Sequence, residues 1–148
     1  MSIEKEKGKP PMSDMKLDNF RLLVNDFAAS FHFWHEIVGL ELIYRDENNI
    51  YAYFEAGLAR LELIKADYFA ASVGATQPAL IEAEYRGVVV FRADDVDATY
   101  ADLVKRGAPP LAPPQDHPAG FARTALLVAP DGYVLEVFTS LRPIPHRT

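Results

Sequence analysis

The chain contains no cysteine. That excludes disulfide staples, thiolate metal ligands and a cysteine nucleophile. It has no apolar run approaching the ~20 residues that cross a bilayer as a helix, so no membrane partner is expected. It has no excess of positive charge. Lys and Arg number 15 against 21 Asp and Glu, a formal net charge of −6. An acidic chain without a basic stripe repels phosphate backbones, and nucleic acid is not expected as a partner. There is also no Gly-rich phosphate loop, no serine-centred nucleophile elbow and no Cys–His pair.

What is present suits one ordinary domain. The 148 residues are 49% hydrophobic and 24% charged, enough length and apolar material for a core. Residues 1–15 are polar, Lys-rich and Pro-containing, and read as a flexible tail rather than a secretory leader. A cytoplasmic location is the expectation. The domain is expected over residues 16–141, in two modules (17–65 and 85–139) joined by a linker over 66–84. Residues 142–148 read as a C-terminal tail.

The two halves resemble each other. Slid onto the second half, the first places Asp26 on Asp95, Phe27 on Val96, Phe31 on Tyr100 and Trp34 on Leu103. Gly39 meets Gly107 after a one-residue gap. Each half reads as a strand, an Asp-capped helix and a glycine stop. Phe27, Phe31, Trp34 and Val38 fall on one helical face, as do Val96, Tyr100, Leu103 and Gly107.

Three strand candidates follow each helix. They are Glu41–Arg45, Ile50–Glu55 and Leu58–Lys65, then Leu111–Pro114, Ala122–Val128 and Tyr133–Thr139. Prolines 109, 110, 113 and 114 mark the fourth of these as an edge strand or irregular loop. Pro130, Asp131 and Gly132 make a tight turn. A short helix is expected over Asp67–Val73. The order is β-α-β-β-β twice, an α+β fold. Each helix covers one face of its sheet, and two modules side by side make a curved mixed sheet with a concave cleft.

This order resembles the vicinal oxygen chelate superfamily of glyoxalase, bleomycin-resistance and dioxygenase proteins. The resemblance is carried by LDNFRLLVNDF, FWHEIVGLEL, RLELI, VVVFRADDVDATYADL and, most specifically, the closing APDGYVLEVF. Metal-dependent members of that superfamily place four ligands in the cleft, usually His or Gln, Glu, His and Glu. Carried over, these positions fall on Asn19, Glu62, Val88 and Glu136. The two glutamates match the pattern. Asn19 is a weak ligand and Val88 has no lone pair to donate.

Strand alternation supports the same faces. Arg60, Glu62 and Ile64 oppose Leu61 and Leu63. Val134, Glu136 and Phe138 oppose Leu135 and Val137. Asn19, Arg21 and Leu23 oppose Phe20, Leu22 and Val24. Val88, Val90 and Arg92 oppose Val89 and Phe91. The expected ligand-binding cleft therefore comprises Asn19, Arg21, Arg60, Glu62, Val88, Arg92, Glu136 and Phe138. His117, in the loop PPQDHPAGFA, is expected to overhang it. One parity of Tyr51 and Tyr53 against Ala52 and Phe54 also lines the cleft, and sequence does not fix which. Glu62 and Glu136 are expected to pair with Arg21, Arg60 or Arg92, since a half-buried carboxylate needs a cation, a hydrogen bond or a proton. His32 and Glu36 are expected to form a surface pair one helical turn apart.

The resemblance with an incomplete ligand set implies a small-molecule-binding protein of the bleomycin-resistance type. It would hold a planar apolar or cationic compound, with no cofactor. The alternative is a glyoxalase-type lyase, isomerase or dioxygenase that binds a divalent metal through Glu62 and Glu136. A third reading has Glu62 or Glu136 as a base for metal-free proton transfer. Open sheet edges and the resemblance both point to a homodimer.

Overall fold

The computed structural model describes residues 17–72, 74 and 85–142. The expected N-terminal tail, most of the linker and nearly all of the C-terminal tail lie outside the described residues.

Each half opens on an extended strand, β1 (Asn19–Val24) and β5 (Gly87–Arg92). An aspartate then starts a helix. The Asp26 carboxylate accepts a hydrogen bond from the Ala29 N–H, and the Asp95 carboxylate accepts one from the Ala98 N–H, each at 3.0 Å. Each satisfies a backbone donor that has no partner within the helix. Helix α1 (Phe27–Phe31) continues as a π-helix over His32–Ile37, while α3 spans Val96–Lys105. Gly39 and Gly107 terminate the two turns at φ +86° and +114°, where a side chain would be strained.

In the first half follow β2 (Glu41–Arg45), β3 (Tyr51–Glu55) and β4 (Arg60–Lys65), then the short α2 (Ala66–Ser72). In the second half follow β6 (Pro110–Asp116), β7 (Ala122–Val128) and β8 (Tyr133–Ser140). A single 3₁₀ turn, Pro130–Gly132, joins the last two strands. The proline-rich segment is an edge strand with register shifts, the bulged form that proline permits.

The strands form two four-stranded sheets of identical order, β1-β4-β3-β2 and β5-β8-β7-β6. In each, the leading strand runs parallel to the last, and the other pairs are antiparallel. This is the expected α+β architecture. Among the described residues the two sheets are not hydrogen-bonded to each other.

The inner faces and the helices share one core. Leu22, Val24, Phe54 and Leu63 from the first sheet, and Leu127, Leu135 and Val137 from the second, join Trp34, Val96 and Leu103 in a continuous cluster. Hydrogen bonds also cross between the halves. Arg86 Nη1 donates to the Leu23 carbonyl at 2.9 Å, and Arg106 Nη1 to the Ile37 carbonyl at 3.2 Å. The opposite face of each sheet therefore points away from the shared core.

The π-segment corrects the expected helix face. A backbone bond from the Val38 N–H to the Phe33 carbonyl (2.9 Å) skips one residue more than an α-helix would. The wider turn rotates the later side chains. Phe33 and Ile37 are buried and Val38 is only half-buried. The same rotation brings His35 inward, against the Phe31 and Phe54 rings. His32 and Glu36 are both exposed, and the expected pair between them does not form. Phe20 is a second correction. It shares the inner parity of β1 but is 59% exposed, near the open end of an edge strand.

Candidate functional site

The candidate residues lie on the outer faces of the two sheets. On the first sheet the register builds a row across all four strands: Arg21, Glu62, Tyr53 and Tyr44. Adjacent rows hold Leu23, Ile64 and Tyr51, and Asn19, Arg60 and Glu55. Tyr51 and Tyr53 thus line the outer face, and Ala52 and Phe54 enter the core. The structure settles a parity that alternation alone left open.

Glu62 is the only charged side chain fully withdrawn from solvent among the described residues, at 6% exposure. Arg21 Nε donates to Glu62 Oε1 at 2.6 Å. The guanidinium supplies the cation that a buried carboxylate needs, and the hydrogen bond in turn raises the pKa of Arg21. Burial and the adjacent Glu62 carboxylate push the Tyr51 phenol up to about 12.

Tyr44, Tyr51 and Tyr53 form a mutual cluster with ring centroids 5.9 to 6.2 Å apart. Tyr44 is half exposed, and strand alternation did not place it in the cleft. Only its pairing opposite Tyr53, after a bulge in β2, brings it there. Arg60 lies 5.9 Å from the Tyr53 ring centroid. Its ion-pair partners are Glu55 at 3.8 Å and Asp18 at 4.0 Å, rather than Glu62. Asn19 turns its amide to Asp18 at 2.8 Å.

The second sheet presents a different surface. One row holds Arg92, Phe138, Thr124 and Gln115, and the next holds Val90, Glu136 and Leu126. Val88 and Val90 are about half exposed, on a strand with a free edge. The Arg92 guanidinium lies 5.8 Å from the Phe138 ring centroid. Glu136 makes no ion pair among the described residues, contrary to the expected pairing with an arginine. Its row neighbour on β5 is Val90, and the arginine stands one row further along.

His117 is exposed at the tip of the β6–β7 hairpin. Its ring lies tilted against Phe121 with centroids 4.4 Å apart, and its Nδ1 accepts from the Ala119 N–H at 3.1 Å. Those contacts hold it within its own loop. A cavity of about 180 Å³ opens between the halves, lined by Val38, Leu40, Phe91, Thr99 and Leu103 among others. It lies on the core side of the sheets, where Arg92, at the end of β5, is the one candidate residue that borders it, and no sequence pattern marks it.

A transition ion does not fit this arrangement. Val88 offers no donor, the Asn19 side chain is engaged by Asp18, and Glu62 is engaged by Arg21. Among the described residues no group of three or more His, Asp or Glu is placed to hold an ion. Glu62 and Glu136 sit on separate sheets, each on the face turned from the shared core.

Comparison with known proteins agrees with the fold. A protein of Bacillus subtilis (strain 168), the uncharacterized protein YraH, is 34% identical over 128 residues, covering 86% of this chain and all of YraH. The crystal structure of a glyoxalase/bleomycin resistance protein/dioxygenase from Nocardioides superposes with a TM-score of 0.75 at 27% identity, over 92% of this chain and 91% of that one. Lactoylglutathione lyase from Agrobacterium tumefaciens has the same fold at 22% identity, with a TM-score of 0.65 over 87% of this chain and 94% of its own. The profile of the Glyoxalase/Bleomycin resistance protein/Dioxygenase superfamily matches residues 16–137, and the chain belongs to that superfamily.

Proposed function

We propose that the protein binds a planar, partly apolar or cationic small molecule, in the manner of bleomycin-resistance-type proteins and without a metal. The tyrosine cluster carries this reading. Three rings from two adjacent strands lie on an outer face, beside a carboxylate already neutralised by Arg21. Aromatic faces attract flat rings through stacking and cations through the ring quadrupole. Glu136 adds a carboxylate with no ion-pair partner among the described residues.

The working unit in this reading is a homodimer. Helices and core fill the space between the two sheets of one chain, so the outer faces do not meet each other there. Among the described residues β1 and β5 each have an unpaired edge, and β5 exposes Val88 and Val90. Pairing β1 of one copy with β5 of another would join a tyrosine face to a valine face across one cleft.

Thermal-shift titration of the purified protein tests the ligand class. A ligand at 100 times its Kd adds roughly 2.7 kcal/mol of apparent stability. Aromatic amines and flat neutral compounds should stabilise the protein, and Tyr53→Ala should remove the effect. Stabilisation by sugar phosphates or nucleotides alone would reject the reading.

A further inference from the structure

The two repeats handle the same charges in different ways. In the first sheet the arginine and the glutamate stand in one row, Arg21 beside Glu62, and they neutralise each other at 2.6 Å. In the second sheet the position beside Glu136 is Val90. The arginine has moved one row along, to Arg92, whose counterpart in the first sheet is Leu23. Two residues along a strand is about 7 Å. Phe138 follows Glu136 on the same face of β8 and lies beside Arg92. The guanidinium rests toward the Phe138 ring, and neither charge is met by an opposite charge among the described residues.

From this offset we infer that the outer face of the second sheet receives a zwitterion, an aromatic α-amino acid or a close derivative. The ligand carboxylate pairs with the Arg92 guanidinium, which offers a planar fork of donors. The ligand ammonium pairs with Glu136. The aromatic ring lies along Phe138 and the exposed Val88 and Val90. A simple cation satisfies only Glu136 and leaves Arg92 opposed by like charge. A simple anion satisfies only Arg92. This inference rests on the small-molecule-binding reading and names the class of ligand within it.

Calorimetric titration of the full-length protein with tryptophan, tryptamine and indole-3-propionate separates the two claims. Tryptophan should bind roughly tenfold more tightly than either analogue, as a second charge-assisted hydrogen bond requires. Arg92→Gln should remove the advantage of tryptophan over tryptamine and should not weaken tryptamine, which loses a like charge opposite it. Glu136→Gln should remove the advantage of tryptophan over indole-3-propionate and should not weaken that acid, which loses a like charge opposite it. Tryptamine binding as tightly as tryptophan overturns the zwitterion and leaves the small-molecule reading intact. Equal weakening of all three compounds by either variant overturns the zwitterion in the same way. Binding of none of the three overturns the zwitterion, and the thermal-shift series with flat neutral compounds then judges the wider reading.

Discussion

Arg21 reaches across from β1 to hold Glu62 on β4, with Nε 2.6 Å from Oε1. The contact cancels the charge beneath the tyrosine cluster. Burial first, and the Glu62 carboxylate second, push the Tyr51 phenol up from 10.0 to about 12. A tyrosine whose folded pKa is raised favours the native state below pH 10, and that contribution is lost as pH rises through 12. Glu62→Gln should bring the Tyr51 pKa back toward 10.0. The check is the phenolate absorbance difference between each protein and its Tyr51→Phe counterpart. Arg21→Leu leaves the buried carboxylate without its cation and should cost roughly 2 kcal/mol, read from urea unfolding at neutral pH.

A second ion-pair cluster predicts an acid-side effect. Arg123 on β7 donates two hydrogen bonds to Asp97 at the start of α3, at 2.7 and 2.8 Å, and one to Asp116 on β6 at 2.9 Å. The hydrogen bonds from Arg123 are the largest influence on Asp97 and hold its carboxyl below the usual range. A depressed carboxyl contributes stability above its unfolded pKa, and the contribution is lost as pH falls through the folded value. Arg123→Gln should therefore be less stable than the parent at neutral pH. The difference should close in acid and shrink in high salt. Thermal melts across pH and ionic strength provide the measurement.

The metal question has a direct answer in elemental analysis of protein purified without chelator. No stoichiometric transition metal is expected. One equivalent of Ni, Zn, Mn or Fe per chain, lost with an activity on Glu62→Gln or Glu136→Gln, would establish the metal-dependent lyase, isomerase or dioxygenase instead.

Assembly is testable at the free edge of β5. Sedimentation at micromolar concentration should show a dimer, and Val90→Lys should shift it to monomer. A parent protein that sediments only as monomer rejects the paired-edge cleft.

Much of this fold was legible in the sequence because its signals are local. Asp26 and Asp95 announce their helices, Gly39 and Gly107 end them, and alternation separates Leu61 and Leu63 from Arg60 and Glu62. What escaped depends on offsets between segments. The π-turn that buries Phe33 and Ile37 needs only one extra residue per turn, and no residue type encodes it. Tyr44 joins Tyr53 through a bulge in β2, so its place could not be counted along the strand. The pairing of Arg21 with Glu62, and the lack of such a pair at Glu136, follow from parallel register between strands far apart in sequence. Strand parity identified the right faces but could not say which charges meet.

The continuous core has a consequence for how the protein comes apart. Its two halves repeat one another in sequence, yet neither keeps a hydrophobic interior to itself. Trp34 of the first repeat and Leu135 of the second belong to one cluster. Melting should accordingly be a single cooperative event, with calorimetric and van't Hoff enthalpies in agreement. Leu135→Ala should lower that one transition by about 2–5 kcal/mol rather than split it in two. The duplicated halves have become one folding unit, so damage in either repeat is felt by both.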